Sequence, residues 1–451
     1  MKNMNYLKLY FERRMLRIFL LGIMSGFPWV LIGSALSLWL KENDLSRSTI
    51  GWASLIFGVY AINFLWAPFI DKLYIPFLSK KIGHRKSWII IMQVIILCCL
   101  VIWSFLEPSK NLWLIISVGL VIAISSSTQD ITIDALRIEQ IGKNEGRAMA
   151  AGAAMSVVGW WTGYKIGGVI SLTSASFFQN LGLENYWQIS FLILTIIIMI
   201  CCVGLVSIPE KASTERKKEQ EFADKKILKK LGSKNNLTKI IAWISGIVIN
   251  PLVSFFKKNS MSVALGILGF IFLFKIGEAF LGRMSIIFYN ELGFSKNEIA
   301  FYSKGIGWIT TVMFTLLGGL FAIRMGLLKA MFVSGIVMAL TNLMFSVLAW
   351  VGQSEFLFAF AVLLDDLAAA FATVAFVAFI SALVDRTYTA TQYALLASIG
   401  TAGRTLFASS SGAMVDWLNG DWGIFFVITS LMVIPSLVCL YLIRNKIKLN
   451  E

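Results

Sequence analysis

The 451-residue sequence predicts an all-α polytopic membrane protein, with 12 transmembrane helices in two six-helix halves and both termini cytoplasmic. Three observations predict it. The chain is 57% hydrophobic and 14% charged, with a mean hydropathy of +0.76, whereas soluble domains carry about a quarter of charged residues. Apolar runs of about 20 residues recur along it, the length a helix needs to cross a bilayer. Placing both termini inside puts about 31 of the 40 Lys and Arg on the cytoplasmic side and about 5 within spans, leaving Lys41, Arg47, Lys110 and Lys296 outside, as the positive-inside rule demands. The net charge of +15 is therefore spread over membrane-proximal loops, and nucleic acid is not an expected partner.

The spans follow in order. The first, about 15–40, is broken by Gly22, Gly26 and Pro28; it is too long for a signal peptide and lacks a cleavage site, so it is expected to stay attached. Spans two to six lie at about 49–70, 88–106, 111–135, 147–171 and 187–208. The fifth carries Gly152, Ser156, Gly159, Gly163 and Gly167 at three- and four-residue steps, a face that lets another helix backbone approach closely. Residues 209–260 read as a basic cytoplasmic linker, with an interfacial helix at 237–256. Six more spans follow, at about 261–288, 297–323, 330–351, 356–384, 389–414 and 424–443. The cysteines, two adjacent pairs in apolar runs and lone Cys439, have neither disulfide nor metal-ligand spacing.

The organisation repeats, so 1–208 and 261–451 are expected to be two equivalent halves. Leu45-Ser46-Arg47-Ser48-Thr49-Ile50 enters the second span as Phe294-Ser295-Lys296-Asn297-Glu298-Ile299 enters the eighth. The carboxylates of span four are mirrored by Asp365-Asp366 in span ten. Such a parallel repeat, with substrate held between the halves, is the major facilitator architecture.

Asp130, Asp134 and Arg137 fall at i, i+4 and i+7, one stripe of a helix. A charge at mid-membrane costs roughly 2.5–3.5 kcal/mol on insertion scales, so these aspartates face protein or water and suggest function. Asp130, Asp134, Glu278, Asp365 and Asp366 are candidates for proton coupling; Asp130 is deeper than Asp134 by one turn and thus the better placed. Asp134, Arg137 and Glu139 lie near enough to the inner surface for gate pairing to compete. Asp71-Lys72 and His84-Arg85-Lys86 are similar to the major facilitator loop signature, an opposite-charge network across the cytoplasmic gate to which Arg137 is added. The corresponding Ala322–Gly326 stretch lacks the Asp.

The chain resembles the AmpG-type muropeptide permeases. The resemblance rests on Ser-Thr-Gln-Asp130-Ile-Thr-Ile-Asp134-Ala, Gly163-Tyr164-Lys165, Lys275-Ile-Gly-Glu278-Ala-Phe, Ala375–Phe379, Thr389-Ala-Thr-Gln392-Tyr-Ala-Leu-Leu396 and Gly403-Arg404. Glu278 and Lys165 stand where that family usually has Asp and Arg. The resemblance implies proton-driven uptake of anionic sugar–peptide fragments of cell wall, across a bacterial inner (cytoplasmic) membrane. Lys275 and Arg404 are then the expected carboxylate anchors, with Lys165, Lys304 and Gln392 as further substrate contacts; for each cation the alternative is snorkelling or a structural ion pair. Trp160 and Tyr164 offer platforms for sugar rings, against the alternative of packing between helices.

A monomer without cofactor or metal is expected. There is no phosphate-cradling nucleotide loop, and one loop histidine without a nucleophile–base pair does not make an enzyme. Transport of another anionic solute (acyl-coenzyme A-like), drug efflux, or a non-transporting membrane sensor remain the alternatives.

Overall fold

The computed structural model describes residues 6–45, 53–142, 145–210, 251–294, 307–408, 410–447 and 449. Among them the regular structure is helical. Eight helices are long and apolar enough to cross a membrane: α1 (Arg13–Glu42), α3 (His84–Trp103), α4 (Pro108–Glu139), α6 (Tyr186–Val206), α7 (Met261–Glu291), α9 (Leu327–Val351), α10 (Glu355–Leu383) and α12 (Trp422–Ile443). Four others fill the places expected for the remaining spans. The stretch α2 is segmented into Ser54–Gly58, Val59–Ile62, Asn63–Leu65 and Ala67–Lys72; α5 is Gly146–Asn180, α8 is Gly307–Met325 and α11 is Thr389–Ala408.

Local chemistry explains where these helices depart from simple rods. α5 runs past the expected end near 171 because no breaker occurs before Gly182, whose φ of 77° a side chain would rarely adopt. α1 carries a π-helical turn at Leu31–Ala35, just after Pro28; such turns accommodate one extra residue and often mark functional sites. α7 breaks at Lys275, whose φ and ψ of −107° and 15° are not helical. Residues 251–258 are helical; the rest of the expected interfacial helix lies outside the described residues.

The small-residue face of α5 packs on α1. A Cβ on Gly26 would meet the Trp160 carbonyl, and one on Gly163 the Ile23 carbonyl, so the two backbones touch and only glycine fits. This crossing brings Trp29 of α1 and Trp160 of α5 together. In the second half Gly277 and Gly403 play the same part, with the carbonyls of Thr429 and Phe272.

The repeat is visible in three dimensions. Glu42, at the end of α1, accepts hydrogen bonds from Trp187 Nε1 at 2.6 Å and the Tyr186 hydroxyl at 2.9 Å. Glu291, at the end of α7, accepts one from Trp422 Nε1 at 2.8 Å. Glu42 and Glu291 share their offset with Leu45 and Phe294 (291−42 = 294−45 = 249), and Trp187 and Trp422 share theirs with Asp130 and Asp365 (422−187 = 365−130 = 235). Each half is thus tied, first helix to last, by the same carboxylate–indole bond. The halves meet along α5 with α8 and α10, and along α11 with α2 and α4. Apolar side chains such as Ile200, Val203 and Leu340 stay exposed, as a helix facing lipid tails requires.

Candidate functional site

Three clusters of polar side chains occupy the interior. The first surrounds Asp130 on α4, a helix whose Ser125–Gln129 and Thr132 are buried. Ser25 Oγ donates to Asp130 at 2.7 Å and Trp29 Nε1 at 3.5 Å. Among the described residues no cation pairs with Asp130, and it is half-buried. Trp29 stands at the centre of an aromatic group: its ring centroid is 4.5 Å from Tyr60, 5.1 Å from Phe57 and 5.6 Å, edge-on, from Trp160. Trp160 in turn stacks on Tyr164 at 5.5 Å. Tyr60 donates to Ser126 Oγ at 2.8 Å. Lys165 Nζ lies 5.9 Å from the Trp161 ring, within cation–π range.

The second cluster is in the other half. Lys275, buried at the α7 break, pairs with Glu278 at 2.9 Å and donates to Thr373 Oγ1 at 2.8 Å. Asp365 lies within Coulombic reach of Lys275, Glu278 and Asp366, and its Oδ1 has no hydrogen-bond partner among the described residues. Thr310 Oγ1 donates to Asp366 at 3.3 Å. Among the described residues Glu278 and Asp365 therefore both lie close to the Lys275 ammonium, with Asp366 beside Asp365. Arg404 is exposed, makes no ion pair among the described residues and lies within Coulombic reach of Lys275. Lys304 lies outside the described residues.

The third cluster closes one end of the molecule. Asp71, 2% exposed, accepts from Arg85 Nη2 at 2.6 Å and from the first turn of α11: the Thr391 amide at 2.7 Å, the Ala390 amide at 3.2 Å and the Thr391 hydroxyl at 2.6 Å. A carboxylate from the first half thus caps a helix of the second, where unpaired amides and the macrodipole favour negative charge. Arg85 also pairs with Glu139 at 3.0 Å. The His84 ring nitrogen Nε2 bonds the Ile70 carbonyl at 2.8 Å, and Glu210, at the start of the linker, accepts from the amides of Arg85 and Lys86 at 2.9 and 3.1 Å. Lys72 is half-buried beside Asp71, and Lys86 Nζ reaches the Val206 carbonyl at 3.5 Å. Arg137 pairs with Asp134 at 2.9 Å and donates to Ser381 of α10 at 3.0 Å, with the Tyr393 ring 5.6 Å away.

The structure thus divides the sequence candidates. Asp134 joins Arg137 at the closed end, while Asp130 stays in the aromatic chamber. Gln392, expected at the substrate, is 2% exposed and spends both ends of its amide on backbone, Asp385 N–H and the Pro251 carbonyl, at 2.7 and 2.8 Å. Ser25, Trp29, Tyr60, Thr373, Thr391, Glu210 and Arg386 carry geometry that sequence reasoning missed. For Ser25 and Trp29 the Gly26-Pro28 interruption of span one was the available signal. For Glu210 and Arg386 there was none beyond their place in charged loops.

Residues 18–303 match the profile described as Major Facilitator Superfamily. The solved proton:xylose symporter XylE superposes with a TM-score of 0.64 at 14% identity, over 97% of this chain and 95% of its own. The human organic anion transporter MFSD10 superposes with 0.58 at 14%, over 95% and 99%. The chain belongs to the Major Facilitator Superfamily. Its relatives there include transporter AmpG 4 of Rickettsia felis, 32% identical over 98% of this chain and 99% of that protein. The anhydromuropeptide permease of Escherichia coli K12 is 27% identical over 98% of this chain and 82% of that protein. Within the superfamily the chain is a member of the AmpG-type transporters: a multi-pass membrane protein of a family that moves small molecules.

Proposed function

We propose that the protein imports anionic anhydro-muropeptides across the bacterial inner membrane, by alternating access coupled to protons, as a monomer. In this reading it has 12 spans in two six-helix halves (1–208 and 261–451), with both termini and the 209–260 linker in the cytoplasm, and the closed end with Asp71 is the cytoplasmic gate. The observation that carries the coupling is Asp130. It is a half-buried carboxylate within an expected span, held by a hydroxyl and an indole N–H and, among the described residues, by no cation, so it can take up a proton without stranding a buried positive charge. The solute class draws on the AmpG-type relatives and on Arg404, an exposed guanidinium without an ion pair among the described residues, suited to a carboxylate. Trp29, Trp160 and Tyr164 form one aromatic group beside Asp130, and ring faces of this kind suit a sugar.

The test is uptake of radiolabelled anhydro-muropeptide by cells lacking their own permease and expressing this chain. Accumulation that a protonophore abolishes is the expected result. Uptake indifferent to the protonophore refutes the coupling, and absence of uptake beside a working control permease refutes the solute.

A further inference from the structure

The gate has a counterpart to Asp71 that points the other way across the interface. The turn between α10 and α11 carries Arg386 in a 3₁₀ segment, Arg386–Tyr388. Its guanidinium reaches out of the second half to the C-terminal end of α4: Nη1 donates to the Ile138 carbonyl and Nη2 to the Gly142 carbonyl at 3.4 Å. A helix C-terminus presents unpaired carbonyls and a partial negative charge, and a cation stabilises it. Asp71 of the first half sits on the N-terminus of α11, and Arg386 of the second half sits on the C-terminus of α4. Each half thereby lends a charge to a helix end of the other. The loop after α8, where the sequence repeat would place a second gate, has no aspartate; the second half contributes its charge from a different turn.

The turn does not aim itself. Asp385 accepts from the Thr387 amide at 2.9 Å and from Ser254 Oγ, and its own amide donates to Gln392 Oε1 at 2.7 Å. Gln392 Nε2 donates to the Pro251 carbonyl at 2.8 Å, and Lys258 Nζ to the Leu383 carbonyl at 3.3 Å. The 251–258 helix, the last described piece of the linker before the second half, therefore grips the turn from both sides. Burial pushes the Lys258 ammonium below its ordinary value, with Asp385 opposing. The bonds hold the turn between the 251–258 helix on one side and the end of α4 on the other.

We propose that Arg386 is a positioning residue that locks the gate from the second half, held in aim by the 251–258 helix through Asp385 and Gln392. The proposal rests on the transporter reading, and it links the linker to the gate: displacing that helix releases Arg386 from α4. Breaking one charge-assisted bond at a helix end is expected to lower the closed-to-open ratio about tenfold, about 1.4 kcal/mol.

The experiment measures distances between spin labels at Ser207 and Met325, exposed residues at the gate ends of the two halves, in full-length protein whose five cysteines are replaced by alanine. Arg386→Ala is expected to shift the population to the longer distance about tenfold while leaving the heat stability of the detergent-solubilised protein near that of the parent. Arg386→Lys, which still donates to carbonyls, restores most of the closed population. Gln392→Ala falls between the two. An unshifted distribution in Arg386→Ala overturns the proposal. If that variant does not reach the membrane, Gln392→Ala and Ser254→Ala decide, and unshifted distributions in both overturn it. The distances are read without solute, so failure of the parent protein to take up anhydro-muropeptide refutes the solute reading alone.

Discussion

The two halves handle membrane-buried charge in opposite ways. Asp130 and Asp365 occupy the same register of the repeat, 235 residues apart as are the indoles Trp187 and Trp422. Asp130 is satisfied by Ser25 and Trp29, neutral donors beside an aromatic chamber. Asp365 stands near Asp366, near Glu278 and near the Lys275 ammonium that Glu278 pairs with. The repeat keeps the position of the acid and changes what compensates it. Neutral donors leave the acid free to gain a proton, since protonating it leaves no buried cation without a partner. Neutralising the partner of a buried lysine does strand one, and that costs several kcal/mol. The first half is therefore the better place for a titrating group, and the second for a fixed charge.

The sharpest way to break this contrast is to remove the fixed charge. Lys275→Met leaves Glu278 and Asp365 without the ammonium beside them, and should cost about 3–5 kcal/mol of stability, read as an earlier heat unfolding of the solubilised protein. Adding Glu278→Gln should recover more than half of the loss. A single variant as stable as the parent would remove the fixed-charge role.

Next in size is the group proposed to titrate. Asp130→Asn keeps the size and one acceptor oxygen, turns the other oxygen into an amide donor, and cannot ionise. It should lower accumulation driven by a pH gradient at least about tenfold, roughly 1.4 kcal/mol, with normal amounts of protein in the membrane and with solute counterflow retained. Asp134→Asn should instead loosen Arg137 from its partner, so counterflow should fall along with accumulation. Equal behaviour of the two variants would erase the distinction between chamber and gate.

Smaller effects probe the chamber wall and the shared frame. Trp29→Phe keeps a ring but loses the N–H to Asp130, a bond worth about 0.5–1.5 kcal/mol, and should raise the solute KM about threefold with the maximal rate little changed. Glu42→Gln and Glu291→Gln weaken equivalent carboxylate–indole ties at the ends of α1 and α7. Each should cost about 1 kcal/mol in heat stability, and by similar amounts; a loss confined to one of them would show that the frame is not shared.

Much of this was legible in the sequence because membrane physics writes it there. A bilayer demands apolar runs, so the helices announce themselves; it taxes charge, so Asp130, Asp134, Lys275 and Asp365 stand out. Helical spacing placed Asp134 with Arg137 and Lys275 with Glu278, pairs that are local and need no tertiary information. The roles beyond spacing were hidden. Nothing in a glutamine four residues into a helix says that both ends of Gln392 are used on backbone. Nothing distinguishes Arg386 from other inside-loop cations either, since its partners lie 248 and 244 residues away. Ser25 and Trp29 meet Asp130 only through the packing of α1 on α4, across separations of 105 and 101 residues.

By itself, then, the sequence determined what must be buried and what must be wet: helices of bilayer length, a repeat of two halves, and acids where lipid forbids them. Tertiary structure alone decided which groups from distant segments reach each acid, such as Ser25 and Trp29 at Asp130 and the first turn of α11 at Asp71. That choice depends on which helix ends and side chains other segments bring within about 3 Å, the reach of a hydrogen bond. Such proximity arises from packing across the whole chain, which no local pattern of residues encodes.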